Sequence, residues 1–137
     1  MKICSCHTFS EYHFHVEGKT YAEAKQICLS QGTKLVEPKS AQSNTKVTEL
    51  AKAKGIFTMW IGINDKANEG VFRYESSGQT ITYSNWNPNE PNNWENREHC
   101  GELYVGHSTA GKWNDGDCSY TIAFACESNG GINSYQF

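Results

Sequence analysis

The chain holds 137 residues, with 12 basic against 15 acidic side chains for a net charge of −3, and only 37% of it is hydrophobic. That length fits one domain with a real core, while the interspersed charge lacks the basic patch of a nucleic-acid binder. No apolar run approaches the roughly 20 residues of a membrane span.

An apolar fraction below the usual ~45–50% leaves the core in need of covalent help. Six cysteines supply the means. Disulfides persist in oxidising compartments, so the expectation is a secreted, extracellular protein. The irregular cysteine spacing, without a CxxC pair, argues against a zinc site. The opening "MKICSC" is too short and too polar for a signal peptide and reads as the start of a mature or recombinant form.

In chain order, "YHFHV" at 12–16 alternates as a strand does. A helix is expected through "TYAEAKQICLSQG", with Thr20 as N-cap and Glu23 completing a capping box. Ala22, Ile27 and Cys28 form its expected buried stripe, and Gly32 marks its stop. "KLVEP" reads as a short strand ended by Pro38. A second helix is expected from about Ser40 to Gly55, with Val47, Leu50 and Ala51 facing inward.

"FTMWIGI" at 57–63 reads as a buried central strand. Beyond it lie about fifty residues dense in Gly, Asn, Asp, Ser and Trp, broken by short pieces such as "VFRY" and "GELYV". A loop region of that length is usually functional or disordered, and its tryptophans and cysteines argue against disorder. "YTIAFACE" is strand-like again, and "SNGGINSYQF" is a polar tail. A strand, two helices and an irregular strand-and-loop half predict an α+β fold.

The most unusual stretch is "NPNEPNNWENREHC" at 87–100, which carries five asparagines and three glutamates beside two of the three prolines. Together "WIGI", "EPN", the "WND" at 113–115 and the cysteine ladder resemble a C-type lectin domain, over about residues 9–127. The resemblance implies a C-type lectin-like α+β fold: two helices, small antiparallel sheets and a long calcium-binding loop region, stapled by disulfides Cys28–Cys126 and Cys100–Cys118. Residues 1–8 form an N-terminal segment whose Cys4 and Cys6 are expected to bridge chains in a homodimer, and 128–137 form the tail.

The resemblance also implies a principal calcium site of Glu90, Asn92, Glu98, Asn114 and Asp115, since calcium takes 6–8 oxygen ligands. An auxiliary calcium site would draw on Asp65, Glu69, Asn93 and Glu98, although His99, a poor ligand for a hard cation, stands where many relatives carry an aspartate. Sugar would meet Glu90, Asn92, Glu98 and Asn114, with hydroxyls donating to the carboxylates and accepting from the amides. EPN implies mannose-type or N-acetylglucosamine-type ligands. Trp94, placed where galactose-binding relatives stack a tryptophan, keeps galactose and N-acetylgalactosamine open.

An enzyme is not expected. No GxSxG or HExxH occurs, His13 and His15 share a face of a strand, and His7 and His107 lack a recognisable partner. Trp60 and Trp113 are expected in the core and Trp86 as a loop anchor. The rival is a protein-binding module of the same fold. The expected function is therefore a calcium-dependent glycan-binding lectin, an agglutinin or innate-immune receptor, with no nucleic acid or membrane insertion.

Overall fold

A computed structural model describes residues 12–106 and 108–129; Cys4, Cys6, His7, His107 and most of the tail lie outside them. The elements in order are β1 (Tyr12–Lys19), α1 (Tyr21–Ser30), β2 (Thr33–Leu35), α2 (Ala41–Ala53), β3 (Thr58–Asn64), β4 (Arg73–Tyr74), a 3-10 turn (Trp94–Asn96), β5 (Glu98–Tyr104), β6 (Trp113–Asp117) and β7 (Ile122–Ser128). The strands join in one sheet of order β1-β7-β3-β5-β6, with β2 on β7 and β4 on β3. Every pairing is antiparallel except β3 with β7, so the small sheets expected from the sequence are one connected sheet.

Both helices begin where local chemistry dictates. Thr20 Oγ1 accepts from the Glu23 N–H at 3.2 Å while Glu23 Oε1 accepts from the Thr20 N–H at 3.0 Å, satisfying two otherwise orphaned donors. Ser40 and Ser43 make the equivalent box for α2. The inner faces differ from expectation. On α1 the buried residues are Tyr21, Ala24 and Cys28, whereas Ala22 is exposed and Ile27 only half-buried. Tyr21 lies edge-on to Trp60, its hydroxyl donating to Glu75 at 3.0 Å, and these distant partners draw it inward. On α2, Val47 and Ala51 are buried as expected, but Leu50 is 40% exposed and its inward place goes to Asn44 and Thr48. Thr48 donates to the Asn44 carbonyl at 2.7 Å, so its burial leaves the hydroxyl satisfied.

β3 is buried on both faces, as its continuous apolar run suggests. Met59, Ile61 and Ile63 join Val47, Leu103 and Trp113 in the larger core cluster. The intervening Trp60 joins Tyr21, Cys28, Phe124 and Cys126 in the second. Each such side chain contributes roughly 1.5–3 kcal/mol. Disulfides Cys28–Cys126 and Cys100–Cys118 are both formed, as the resemblance implied.

Two tryptophans then fix the loop-rich half to this frame. Trp113 is fully buried, and its Nε1–H donates to Asn44 Oδ1 at 2.8 Å. Asn44 in turn donates from Nδ2 to the Gly111 carbonyl at 2.8 Å. Trp86 packs edge-on against both Phe72 and Trp113, the loop anchor expected from the sequence. The loop after it therefore starts from a fixed point beside β6.

Candidate metal and ligand site

Alternation along β6 sends Trp113 and Asp115 to one face and Asn114 and Gly116 to the other. The core holds Trp113, so Asp115 beside it is also fully buried, and its carboxylate becomes the tie for the loop of residues 87–98. Asp115 Oδ1 accepts from the Asn92 N–H at 3.1 Å and Oδ2 from the Asn93 N–H at 2.7 Å. Asn93 Oδ1 accepts from the Glu98 N–H at 3.1 Å. The Trp94 N–H is shared between Asn92 Oδ1 and Glu98 Oε1, each at 3.2 Å.

This geometry explains the abundance of asparagine. Asn89, Asn93, Glu95 and Asn96 all have positive φ, a region asparagine enters more readily than most residues. The Glu90–Pro91 peptide is cis. Within this short, tightly turned loop the backbone N–H groups point inward at carboxylates, leaving other side-chain oxygens available.

Three carboxylates converge. Glu90, Glu98 and Asp115 each place an oxygen within 4.8 Å of the other two. Glu90 Oε1 is buried and lacks any hydrogen-bond partner. Burial, reinforced by the neighbouring Asp115 and then by Glu98, pushes the Glu90 carboxyl up to about 7. Burial likewise raises Glu98. Arg97 does not neutralise the trio, for it pairs with Glu95 at 2.9 Å and approaches Asp117 at 4.0 Å. Clustered, partly desolvated carboxylates with an orphaned oxygen fit a bound cation, and a donor set made wholly of oxygen fits a hard one such as calcium.

Of the five residues expected at the principal site, the fold brings the three acids together and places Asn92 beside Asp115 through its backbone. Asn114 stands on β6 opposite Glu102 of β5, and its Nδ2 donates to Glu102 Oε1 at 3.0 Å. Glu102 is 6% exposed, and burial drives its carboxyl up to about 7 against the lowering effect of that hydrogen bond. Glu102 was not among the residues expected here. A charged residue within the apolar strand "GELYV" was the available signal, but its partner depends on the register of β5 and β6.

The second group also forms. His99 Nδ1 lies 3.1 Å from Asp65 Oδ1 and 3.2 Å from Glu69 Oε1. Asp65 Oδ2 accepts from the Gly70 N–H at 2.7 Å. Asn93, expected here as well, directs its side-chain oxygen to the Glu98 N–H. Trp94 is 54% exposed, with the Arg97 guanidinium 5.9 Å from its ring centre.

Comparison with known proteins agrees with this architecture. The model of the lectin C-type domain family matches residues 17–128. Collectin-10 of Gallus gallus is 36% identical over 116 residues, covering 85% of this chain and 40% of the relative. The chain thus spans about two-fifths of the length of the collectin-10 proteins it matches. Salivary C-type lectin 2 of Aedes albopictus is 35% identical over 131 residues, covering 89% of this chain and 85% of the relative. Among solved structures, the cow CD23 C-type carbohydrate-recognition domain, determined in the presence of a GlcNAc2Man3 oligosaccharide, superposes with a TM-score of 0.75 at 31% identity, covering 86% of each chain. The fold, both disulfides and the match across residues 17–128 place this chain in the C-type lectin domain family.

Proposed function

We propose that the protein is a calcium-dependent, non-enzymatic lectin that binds glycans at the Glu90, Asn92, Glu98, Asn114 and Asp115 cluster. The convergence of Glu90, Glu98 and Asp115 around the orphaned Glu90 Oε1 is the observation that carries this reading. When bound there, calcium would offer its remaining coordination positions to two neighbouring sugar hydroxyls. Glu90 and Glu98 accept the hydroxyl protons, while the amides of Asn92 and Asn114 donate to the hydroxyl oxygens. Asp115 holds the loop that carries Asn92. Each polar group on both sides is then satisfied, as burial of polar groups requires.

The EPN order favours mannose-type and N-acetylglucosamine-type diols. The exposed ring of Trp94 supplies an apolar face on which galactose or N-acetylgalactosamine could stack. One diol makes a small contact, so a monosaccharide should bind in the millimolar range, about −4 kcal/mol. Useful avidity then needs several sites, which interchain bonds through Cys4 and Cys6 would provide in a secreted homodimer acting as an agglutinin or innate-immune receptor. At the second cluster the His99 imidazole already bridges Asp65 and Glu69, so one calcium per chain is expected, with the auxiliary site unfilled.

Substitution tests the assignment. Asn92→Asp and Glu98→Ala should each abolish calcium-dependent binding to immobilised mannan while leaving the melting temperature without calcium within a few degrees. Undiminished binding by both variants would favour a protein-binding module on the same fold.

A further inference from the structure

We propose that Glu102 is a positioning residue that fixes which way the Asn114 amide faces. This rests on the reading of Asn114 as a ligand and donor at the site.

A primary amide has two nearly isosteric branches, an oxygen that accepts and an NH2 that donates twice. At the rim of the carboxylate cluster the two orientations are chemically opposite. One offers an oxygen to a cation, and the other brings an NH2 to it. Nothing about asparagine itself selects between them. Glu102 does, because a carboxylate accepts only, and Asn114 Nδ2 lies 3.0 Å from Glu102 Oε1. With that branch committed, the planar amide must direct its oxygen along the other branch. Nδ2 keeps a second hydrogen for a sugar hydroxyl.

The carboxylate is itself held in place. Glu102 and Asn114 are directly opposed in the antiparallel ladder, with Gly116 two residues further along the same face of β6. A methyl group at Gly116 would collide with Glu102 Oε2. Glycine therefore leaves the space this carboxylate occupies, and the "WNDG" sequence supplies both the amide and the room for its partner. Glu102 is almost fully buried, an environment that disfavours a charge unless a hydrogen bond rewards it. As part of a solvated strand face it would have no reason to be there.

Five variants test the assignment in the intact chain: Glu102→Leu, Glu102→Gln, Asn114→Ala, the Glu102→Leu/Asn114→Ala double and Gly116→Ala. Calcium affinity is read by calorimetry, mannan binding by retention, and the Asn114 side-chain NH2 by NMR in calcium-free protein. Glu102→Leu should weaken calcium and mannan binding about tenfold or more without lowering the melting temperature. Glu102→Gln, whose Oε1 still accepts, should recover most of that loss. In the double variant the leucine should add nothing to the effect of Asn114→Ala, since coupled residues are non-additive. Gly116→Ala, which displaces the carboxylate without touching Asn114, should weaken binding as Glu102→Leu does and stands in for it if that variant fails to fold.

Wild-type affinity in Glu102→Leu, or additive losses in the double, would overturn the proposal. If the wild-type protein binds neither calcium nor mannan, the functional reading fails. The NMR signal then decides the positioning alone: distinct, hydrogen-bonded Asn114 NH2 resonances that collapse in Glu102→Leu support it, and resonances unchanged by the substitution refute it.

Discussion

Stripping calcium should steepen the fall of stability with rising pH. Without the ion, the Glu90 and Glu102 carboxyls sit at about 7 rather than 4.5, so between those values the folded state holds more protons than the unfolded one. Linkage then makes stability fall as pH rises. The favourable contribution is fully present below the unfolded pKa near 4.5 and is lost as pH passes through about 7. For Glu102, nearly inaccessible to water, the difference is worth on the order of 3 kcal/mol. Glu90 is only half-buried and solvent screening reduces its share to about 1–2 kcal/mol. The remaining shifts at the site, in Glu98 and Glu69, have the same sign. Asp117 is shifted downward and titrates below the window.

At about 4 °C per kcal/mol for a domain of this size, the calcium-free protein should melt roughly 15–20 °C lower near pH 8 than near pH 4.5. Calcium requires the ionised carboxylates, so its stabilisation should grow with pH, reaching about 2.7 kcal/mol when free calcium is a hundred times its dissociation constant. Scanning calorimetry across that range in EDTA and in calcium gives both curves, which should diverge as pH rises. A melting temperature in EDTA that increases from pH 5 to 8, or a calcium increment independent of pH, would refute the electrostatic account of the cluster.

Other consequences are separable from this one. Replacing both Cys28 and Cys126 with alanine should cost about 4–5 kcal/mol in urea unfolding, against about 3 kcal/mol for the Cys100–Cys118 pair, because the closed loops differ in span by 98 against 18 residues. Asn44→Ala removes the acceptor of Trp113 Nε1 and one of two donors to the Gly111 carbonyl, which keeps its bond from Asn85 Nδ2 at 2.6 Å; it should cost about 1–3 kcal/mol by denaturant titration, since the buried indole N–H is left without a partner. Calorimetry with calcium at neutral pH should count one ion per chain; two would show that the Asp65, Glu69 and His99 cluster fills despite the imidazole. Mass under reducing and non-reducing conditions should differ by twofold if Cys4 and Cys6 join chains, and a monomer in both removes the dimer.

What the sequence disclosed follows the range of the interaction concerned. Capping boxes involve residues three apart, so Thr20 with Glu23 and the Ser40 start were legible. The β3 strand announced itself by an apolar run that only a doubly covered strand can bury. The α1 and α2 faces were partly misassigned because their stripes are weak and distant partners decide them: Trp60 and Glu75 for Tyr21, and Trp113 and Gly111 for Asn44. At the site, motif resemblance identified the carboxylates that converge, since Glu90 and Asp115 belong to the EPN and WND triplets and Glu98 stands two residues before Cys100 of the cysteine ladder. Glu102 belongs to no triplet. Its role depends on the pairing of β5 with β6, fixed by the whole sheet rather than by neighbours in the chain. His99 was legible as a departure from the family's usual aspartate. Its approach to Asp65 and Glu69, 34 and 30 residues earlier, emerges only in the fold.

The most direct test of the central claim is retention on mannose and galactose resins, run in calcium and then in excess EDTA. The mannose resin should retain the protein in calcium and release it in EDTA, with galactose also retaining it if Trp94 stacks against the sugar. Passage through both resins unretarded in calcium, or retention that survives EDTA, would contradict the claim.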